Sequence, residues 1–497
     1  MHPAILYRLL GAILTVTAAA MALCFLVAFV EAMQGRDDHA MCPMGLSCLL
    51  TAVAGGGLLF MGRQGNAEQL LRKEAIAAVV LGWILAALFG SLPFVLYHGR
   101  LTLIQAFFES MSGFTTTGST VLTDLESLPD SILLWRSLTQ WIGGLGILAL
   151  IVALLSALGV NRKSLLGAET SMDLTDSPTA RIKDLTLRLW AVYGGLTILC
   201  WLGLWFTAAW AGVEMSVFEA LLYSLTTVST GGFAPHDASL GHFNSFTIEL
   251  FLCIFMLVSS LSMIFVVNLV TGQFHRRRGR TEALGLLIVI FLAWITITID
   301  LWLNHTSEGW AALREAIFPV VSLSSSTGFG AGDYDQWPLF ARCTLILLMA
   351  IGGCSGSTAG GIKIIRLVVM LKILVQDVRR TFRPNQVMGI KIDGRSVDSE
   401  AQRQILSYLV FVAVIVIVST QIISMFEPSI EDLNTSFGAV FATFFNMGPG
   451  FGAVGPTDNF AHFHQSTLLY LSLLMLLGRL EIFVVVALFS RSLWRRY

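Results

Sequence analysis

Four short polar strings recur along the chain, and each ends in a glycine that follows a short apolar stretch. Strings of this kind are common, so a single copy specifies nothing. Four copies at near-equal spacing, each aligned without gaps on its glycine, predict an internal fourfold repeat. The aligned members are Thr116-Thr117-Gly118, Ser229-Thr230-Gly231, Ser326-Thr327-Gly328 and Asn446-Met447-Gly448.

The chemistry that these strings offer is coordination of a monovalent cation. They contain no acidic side chain, so backbone carbonyl oxygens are the available ligands, and rings of carbonyls replace the hydration shell of an ion in channel filters. Aiming successive carbonyls in one direction needs backbone angles that glycine adopts cheaply. A divalent cation would instead favour carboxylates. We therefore predict a carbonyl filter, with ordinary re-entrant packing loops as the alternative.

A glycine-rich segment at 352–361 lies between two apolar stretches, and five of its ten residues are glycine. Each glycine costs a helix about 1 kcal/mol relative to alanine, so the helix should break here. Non-helical backbone at membrane depth is tolerated where it is buried in protein or lines a cavity. We predict a gate below the third string, with close helix packing through small residues as the alternative. The gate glycines are Gly352, Gly353, Gly356, Gly360 and Gly361.

Basic residues near the predicted gate belong to the same hypothesis. Arg479 lies in the middle of the last apolar stretch, where an ionised side chain costs roughly 2.5–3.5 kcal/mol and should face protein or water. It either places a positive charge in the pore beside the glycine-rich segment or is a structural arginine bonded to carbonyls. Lys363 and Arg366 directly follow that segment. They are either gate groups or anchors at the inner membrane interface.

The composition indicates which elements position these residues. Of 497 residues, 55% are hydrophobic and 13% are charged, about half the charged fraction of a globular protein. An ordinary soluble enzyme is therefore disfavoured, and a net charge of -1 gives no support for nucleic-acid binding. Spanning a membrane takes about 20 apolar residues. Ten long apolar stretches lie at 9–30, 45–62, 75–97, 132–159, 186–212, 246–272, 282–303, 337–381, 404–426 and 464–490, and four short ones, read as half-helices, lie at 102–115, 215–228, 312–325 and 434–445.

The distribution of Lys and Arg predicts the orientation. Basic residues cluster near both termini and in alternate loops, such as Arg276–Arg280. By the positive-inside rule, both termini and these loops are cytoplasmic. All four half-helices then enter from the outer side, and each directs its C-terminal end, with about half a negative charge, toward an ion.

The four strings, the stretch Gln140–Gly146 and the segment 352–361 resemble the TrkH/TrkG/KtrB superfamily of potassium transporters. The resemblance covers essentially the whole chain, and two extra N-terminal apolar stretches resemble the TrkH branch. It implies potassium uptake through a pseudo-fourfold pore, a homodimer in the bacterial inner membrane, and a basic pore residue matching Arg479. It also implies a cytoplasmic TrkA-like subunit that senses nucleotide, NAD or ATP, docked on the basic loops at 161–183 and 372–398. The chain itself would hold no cofactor besides the transported potassium ion.

Two departures from a regular filter are visible. Ser119 follows the first glycine, whereas the second and third strings continue with Gly232 and Phe329, and Pro449 follows the glycine of the fourth. We therefore expect a ring that is not fourfold identical, with modest selectivity for potassium over sodium.

The predicted fold is an all-α polytopic membrane protein with four helix–pore-loop–helix repeats around one pore. An intramembrane enzyme is disfavoured, since Glu249, Asp300 and Glu481 form no catalytic motif. An ion-coupled secondary transporter of another solute and a sodium- or ammonium-permeable relative remain alternatives, and proton coupling stays open. The division is two N-terminal helices in 1–68, then repeats in 69–160, 161–278, 279–395 (with the broken helix) and 396–497.

Overall fold

The fold is built almost entirely of α-helices, as predicted. The only strands among the described residues are β1 (Lys391–Ile392) and β2 (Arg395–Ser396), which pair antiparallel in a small hairpin. Most of the basic loop 161–183 and Glu481 lie outside the described residues. The computed structural model describes residues 3–36, 39–64, 72–97, 99, 101–157, 178–272, 279–307, 309–383, 389–427, 430, 432–480 and 482–489.

Two N-terminal helices, α1 (Pro3–Met33) and α2 (Met41–Met61), pack along each other outside the repeats. Their backbones approach closely at small residues. A Cβ added to Gly11 would lie 2.7 Å from the backbone nitrogen of Leu59 and 2.9 Å from the carbonyl oxygen of Gly55. Small residues allow such close approach, which gives helix association in lipid its van der Waals contact.

Four repeats of one pattern follow: an outer helix, a half-helix and a second helix. Repeat 1 contains α3 (Arg72–Gly90), α4 (Leu92–Leu96), α5 (Leu103–Phe114) and α6 (Asp130–Ala157). Repeat 2 contains α7 (Pro178–Trp210), α8 (Val217–Val228), α9 (Phe246–Ser260) and α10 (Met263–Val270). Repeat 3 contains α11 (Arg280–Leu303), α12 (Trp310–Ser324), α13 (Leu339–Ala350) and α14 (Ile364–Phe382). Repeat 4 contains α15 (Ser399–Phe426), α16 (Leu433–Phe444), α17 (Gln465–Arg479) and α18 (Ile482–Phe489).

The outer surface of the helices is apolar. Large aliphatic and aromatic side chains are exposed on three outer helices, α7, α11 and α15, and a continuous surface of this kind suits lipid better than water. Within the described residues, six helices are long and apolar enough to span a membrane, or eight if each of two bent pairs counts as one span. Exposed examples are Leu199, Phe206, Ile288, Phe291, Val410 and Ile417.

The four half-helices α5, α8, α12 and α16 are the short apolar stretches of the sequence. Two of them begin with a capping box, in which Thr102 pairs with Gln105 and Ser216 pairs with Glu219. Such a box satisfies two backbone N–H groups that the first turn leaves free. The C-terminal halves of all four helices are buried, so the strings that follow them lie in the interior.

The second helix is broken in three repeats, whereas the sequence predicted a break only in the third. Helices α9 and α10 meet at 105°, and α17 and α18 at 114°. The bend of repeat 2 holds the glycine-rich segment: Cys354 donates its N–H to the Ser260 carbonyl at 2.8 Å, and Met263 donates to the Gly356 carbonyl at 3.1 Å. At the bend, the Ser260 carbonyl and the Met263 N–H are therefore hydrogen-bonded to the glycine-rich segment of the third repeat. The sequence there lacks glycine and proline, so nothing in it signalled the break.

Candidate functional site

The four half-helices end in one shared backbone conformation. Directly after each helix cap, a non-glycine residue has a φ of 52 to 55°, and two positions later a glycine has a φ of 78 to 90°. A non-glycine residue in this left-handed region costs of order 1–3 kcal/mol, so four equivalent cases mean that the surrounding packing holds the geometry. The non-glycine residues are Thr116, Thr230, Ser326 and Asn446, and the ring glycines are Gly118, Gly232, Gly328 and Gly448.

The second string is shifted by one residue relative to the sequence alignment. Ser229 is the cap of α8, equivalent to Thr115 at the end of α5. The equivalent of the first string is therefore 230–232, and the predicted pairing of Gly231 with Gly118 is wrong. Two adjacent glycines, Gly231 and Gly232, both satisfy the sequence pattern, and only the position of the helix end distinguishes them.

The four strings form a closed ring of backbone contacts. Each ring glycine faces the carbonyl oxygen of the residue that precedes the ring glycine of the next repeat, and no room is left for a side chain. Following these contacts from repeat to repeat returns to repeat 1, so a single chain closes a pseudo-fourfold ring. A Cβ on Gly118 would overlap the oxygen of Gly231, one on Gly232 that of Thr327, and one on Gly328 that of Met447, while one on Gly448 would lie 2.9 Å from that of Thr117.

Side chains fix the join between the first and fourth strings. Ser119 donates its hydroxyl to the Gly448 carbonyl at 2.8 Å, and Asn446 donates its amide to the Thr117 hydroxyl at 2.9 Å. All four residues are buried. Ser119, which departs from the regular sequence pattern, therefore joins the first string to the fourth, where the ring closes.

One of the four equivalent carbonyls has a side-chain partner. Gln140 donates its amide N–H to the Gly231 carbonyl at 2.7 Å, and its own carbonyl accepts the backbone N–H of Phe233 at 3.0 Å. Because a backbone N–H can only donate, the contact with Phe233 shows that the oxygen of the Gln140 amide faces Phe233 and that its nitrogen faces Gly231. The ring is therefore chemically asymmetric in repeat 2.

The glycine-rich segment forms a closed loop, as the sequence predicted it would be non-helical. Gly352 donates its N–H to the Ile362 carbonyl, and Ile362 donates to the Ala350 carbonyl, both at 2.9 Å. The two ends of the segment are therefore joined. A Cβ on Gly352 would overlap the carbonyl oxygen of Gly360, which explains the glycine at that crossing.

This loop touches the strings of three repeats. Gly360 donates its N–H to the Ser326 hydroxyl at 2.6 Å, and the hydroxyls of Thr230 and Thr358 lie 3.2 Å apart. A Cβ on Gly360 would overlap the carbonyl oxygen of Phe445, the cap of α16. These contacts place the loop against the C-terminal ends of the half-helices, across the middle of the ring.

Arg479 completes the contact between the loop and the repeats. It donates to the Thr358 carbonyl at 2.7 Å and to the Gly143 carbonyl of repeat 1 at 3.4 Å. It is buried, and no carboxylate among the described residues pairs with it. Arg479 lies in the middle of the last apolar stretch, but this stretch is not one continuous helix: α17 ends at Arg479, where Gly478 packs on the Phe444 carbonyl, and α18 follows at 114°.

Comparison with known proteins agrees with this architecture. The family model described as "TrkH: Cation transport protein" matches residues 46–303 and 283–496. The chain belongs to the TrkH family. It is 36% identical to the Trk system potassium uptake protein TrkH of Escherichia coli (strain K12) over 448 residues, which cover 89% of this chain and 90% of that protein. It is 30% identical to TrkG of the same organism over 444 residues, 89% of each chain.

The fold agrees as well. The crystal structure of the potassium transporter TrkH from Vibrio parahaemolyticus superposes with a TM-score of 0.87 at 30% identity, covering 100% of both chains. This confirms the predicted TrkH branch and its all-α membrane fold. Because the family comprises transporters, the chain is a membrane transport protein and not an enzyme.

Sequence reasoning missed a buried ion pair in repeat 1 of this TrkH-family chain. Glu109, on α5, accepts a hydrogen bond from the Arg136 guanidinium at 2.9 Å, and both side chains are almost fully buried. Arg136 also donates to the Ala234 carbonyl at 3.0 Å and stacks over the Phe233 ring at 4.2 Å. The pair therefore joins the first half-helix to the backbone just beyond the second string. The available signal was one charge of each sign inside apolar segments: Glu109 in a half-helix and Arg136 in the stretch 132–159.

A second missed residue is Glu282, in the first turn of α11. Its carboxylate accepts the backbone N–H of Ser355 in the loop at 2.7 Å. The start of the same helix is held from the β1–β2 hairpin, where Asp393 accepts the N–H groups of Gly279 at 2.9 Å and Thr281 at 3.2 Å. A continuous set of contacts thus runs from the hairpin to the loop.

The two basic residues after the loop differ in their surroundings. Lys363 donates its ammonium to the Ala359 carbonyl at 2.6 Å, so it closes the loop on itself. Arg366 is buried with its guanidinium 4.0 Å from the Tyr408 ring centre. The first contact lies within the predicted gate, whereas the second packs α14 on α15.

Proposed function

We propose that this chain takes up potassium across the bacterial inner membrane through a channel-like pore centred on the four-string ring. The observation that carries the proposal is the closed ring itself, in which four repeats bring equivalent carbonyl-bearing strings together. Backbone carbonyls on all sides suit a dehydrated monovalent cation. The relatives named as potassium uptake proteins support potassium as that ion.

The filter is formed by backbone groups at three positions in each string. The C-terminal ends of the half-helices add a partial negative charge beneath them, which stabilises a cation without a fixed carboxylate. Because Gln140 donates a hydrogen bond to the Gly231 carbonyl, this carbonyl is not equivalent to the other three as a ligand. The resulting asymmetry favours modest discrimination between potassium and sodium. The filter positions are Thr116, Thr117, Gly118, Thr230, Gly231, Gly232, Ser326, Thr327, Gly328, Asn446, Met447 and Gly448, with Ser229 beside them as the cap of α8.

The gate is the loop 352–361 together with Lys363 and Arg479. It lies against the C-terminal ends of the half-helices, where an ion leaving the filter would pass. Arg479 holds the loop by donating a hydrogen bond to the Thr358 carbonyl. Its guanidinium also places a positive charge where an ion leaves the filter. Conduction requires the loop to leave this position, and the hydrogen bonds that must break include those to Ser326, Thr230, Arg479 and Glu282.

Both termini are proposed to be cytoplasmic, with the loop on the cytoplasmic side of the ring. The chain acts as a homodimer with a TrkA-like cytoplasmic subunit, and nucleotide acts only through that subunit. The exposed basic residues at the end of α14 and the hairpin that follows are its docking surface. The contacts from Asp393 through α11 to Glu282 give a path by which docking biases the loop.

The test is ion flux into liposomes that contain the purified protein. We expect uptake of ⁸⁶Rb⁺ that external potassium competes for strongly, with sodium and ammonium competing more weakly. Equal competition by sodium or ammonium would favour a less selective cation pore. No ⁸⁶Rb⁺ flux with or without the regulatory subunit, alongside solute-dependent sodium flux, would favour a secondary transporter and overturn the proposal.

A further inference from the structure

Two histidines and two glutamates meet where the loops after the first two strings approach each other. Glu126 comes from the loop of repeat 1, His236 and His242 from the loop of repeat 2, and Glu219 from the first turn of α8. The ligand atoms of Glu126, His236 and His242 all lie within 4.8 Å of one another. This cluster is outside the ring and the gate, and the ion pathway described above does not use it.

The geometry points to a binding site for a divalent transition-metal ion such as Zn²⁺, with Glu126, His236 and His242 as ligands and Glu219 supporting His236. Two imidazoles with one carboxylate form a ligand set that suits zinc and its neighbours. Calcium and magnesium are disfavoured, since both prefer oxygen ligands throughout.

The spacing of the first two ligand atoms fits such an ion. His236 Nδ1 lies 3.3 Å from a carboxylate oxygen of Glu126. Zinc binds imidazole nitrogen and carboxylate oxygen at about 2.0–2.2 Å, so two ligands of a tetrahedral ion lie roughly 3.4 Å apart. An ion bound by both atoms would replace their direct contact while leaving them at about the same separation.

The other nitrogen of His236 already has the partner that a metal-bound histidine needs. Nε2 lies 3.0 Å from a carboxylate oxygen of Glu219. A metal-ligating histidine commonly donates its second ring N–H to a carboxylate, which fixes the ring and raises its basicity. Glu219 is held in turn, because it caps the N-terminus of α8 through Ser216.

Neighbouring groups also position the histidine rings. The Phe243 ring stands edge-on to His236 at 5.6 Å and to His242 at 5.1 Å. The Tyr223 hydroxyl donates to the Ser239 carbonyl at 3.0 Å and so holds the segment between the two histidines. Asp237 accepts the backbone N–H of Leu125 at 3.1 Å, which joins the two loops beside the cluster.

His242 is the ligand that must move. Its ring is stacked on that of His236, with centroids 3.8 Å apart and planes within 2°. Two parallel rings cannot both direct an in-plane lone pair at one ion, so the exposed His242 ring turns toward Glu126 when the ion binds. A water molecule supplies the fourth ligand.

A metal ion here would cross-link repeats 1 and 2 on the side of the ring opposite the gate loop. We therefore expect bound Zn²⁺ to slow ion uptake. This effect on flux rests on the proposed function, whereas binding of the metal does not, so the two are measured separately.

The direct test is titration of the purified, detergent-solubilised chain with Co²⁺ and Zn²⁺. We expect one site, seen by calorimetry and by the visible absorption of tetrahedral Co²⁺, which Zn²⁺ abolishes. His242→Ala and Glu126→Gln should each weaken binding more than the 10- to 100-fold typical of losing a supporting carboxylate. Glu219→Gln should show that smaller loss while keeping its helix cap, since Gln also completes a capping box.

His462→Ala is the matched control, because it removes an exposed histidine from the corresponding loop of repeat 4. It should bind Co²⁺ like the parent. The inference is overturned if the parent shows no tetrahedral Co²⁺ spectrum, or if His242→Ala and Glu126→Gln bind as tightly as the parent. Intact Co²⁺ binding in a protein that conducts no ⁸⁶Rb⁺ with or without the regulatory subunit would overturn the proposed function alone.

Discussion

The ring and the proposed gate loop use glycine and hydrogen bonds in opposite ways. The ring repeats one backbone arrangement four times, and its contacts run between equivalent residues. The loop occurs once, and different side chains from different repeats hold it, among them Ser326, Thr230 and Arg479. Coordination of an ion needs ligands from all sides, which repetition supplies. A gate must have two positions, and a single set of unlike hydrogen bonds is easier to break than a fourfold ring.

The same contrast explains where strain is tolerated. In the ring, four non-glycine residues have positive φ, and neighbouring repeats hold them in place. In the loop, the residues with positive φ are both glycines, Gly356 and Gly361. A rigid ring can hold strained residues because its neighbours do not move. A segment that changes conformation needs residues that carry little strain in either position.

The largest expected effect comes from Arg479, which joins the loop to repeat 1. Arg479→Ala removes the hydrogen bond to Thr358 and a buried positive charge. At an effective dielectric of about 20, a unit charge 4 Å from an ion opposes it by about 4 kcal/mol, so ⁸⁶Rb⁺ flux should rise by up to about a thousandfold before water and counter-charges reduce the effect. Selectivity should persist, because the ring is unchanged.

Arg479→Lys separates the two contributions of the arginine. Lysine keeps the charge but cannot bridge two carbonyls in the same fork geometry, so its flux should lie between those of the parent and Arg479→Ala. Deleting several residues of 352–361 should raise flux as well. If both the alanine variant and the deletion fold, insert and conduct no faster than the parent, the loop is a packing element and not a gate.

The next largest effect is on the ring. Gly328→Ala places a side chain in the left-handed region, at about 1–2 kcal/mol, and drives its Cβ into the Met447 carbonyl. Displacing that carbonyl should reduce discrimination between potassium and sodium by about tenfold, measured as competition for ⁸⁶Rb⁺ uptake. Gly332→Ala is the control, since this nearby glycine is exposed, lacks a positive φ and faces open space. Unchanged selectivity in well-folded alanine variants at all four ring glycines would contradict the carbonyl filter.

The sequence predicted the repeated parts of the molecule well. Half-helices, strings and long helices each leave a periodic or compositional signal, and four copies reinforce one another. The error at Gly231 shows the limit of that approach, because composition does not locate a helix end to one residue. The break in repeat 2 was missed because the loop of repeat 3 bonds the backbone groups there, and such a contact between distant segments has no local signal. In repeat 4, Gly478 stands at the break, but a single glycine in an apolar stretch does not by itself predict one.

A smaller effect is expected at Glu282, the residue that holds the loop from α11. Glu282→Ala loses the hydrogen bond to Ser355, a contribution of about 0.5–1.5 kcal/mol, so flux should rise about two- to tenfold. Glu282→Gln keeps an oxygen that accepts this bond and should behave more like the parent. Equal flux in parent and alanine variant, measured at equal protein content, would show that Glu282 supports the fold without biasing the loop.

The smallest effect concerns the proposed docking surface at the end of α14, away from both ring and loop. Arg379, Arg380 and Arg383 at the end of α14 are exposed, and exposed ion pairs contribute about 0.2–1 kcal/mol each. Reversing all three to Glu should weaken co-purification with a TrkA-like subunit several-fold, while basal ⁸⁶Rb⁺ flux stays unchanged because the loop contacts remain. Reversing Arg276, Arg277 and Arg278 changes the same number of charges in a loop outside the predicted docking segments, and it should leave co-purification intact. If the first variant still binds the subunit like the parent, this segment is not the docking surface. If both variants lose binding equally, net charge and not this segment governs docking.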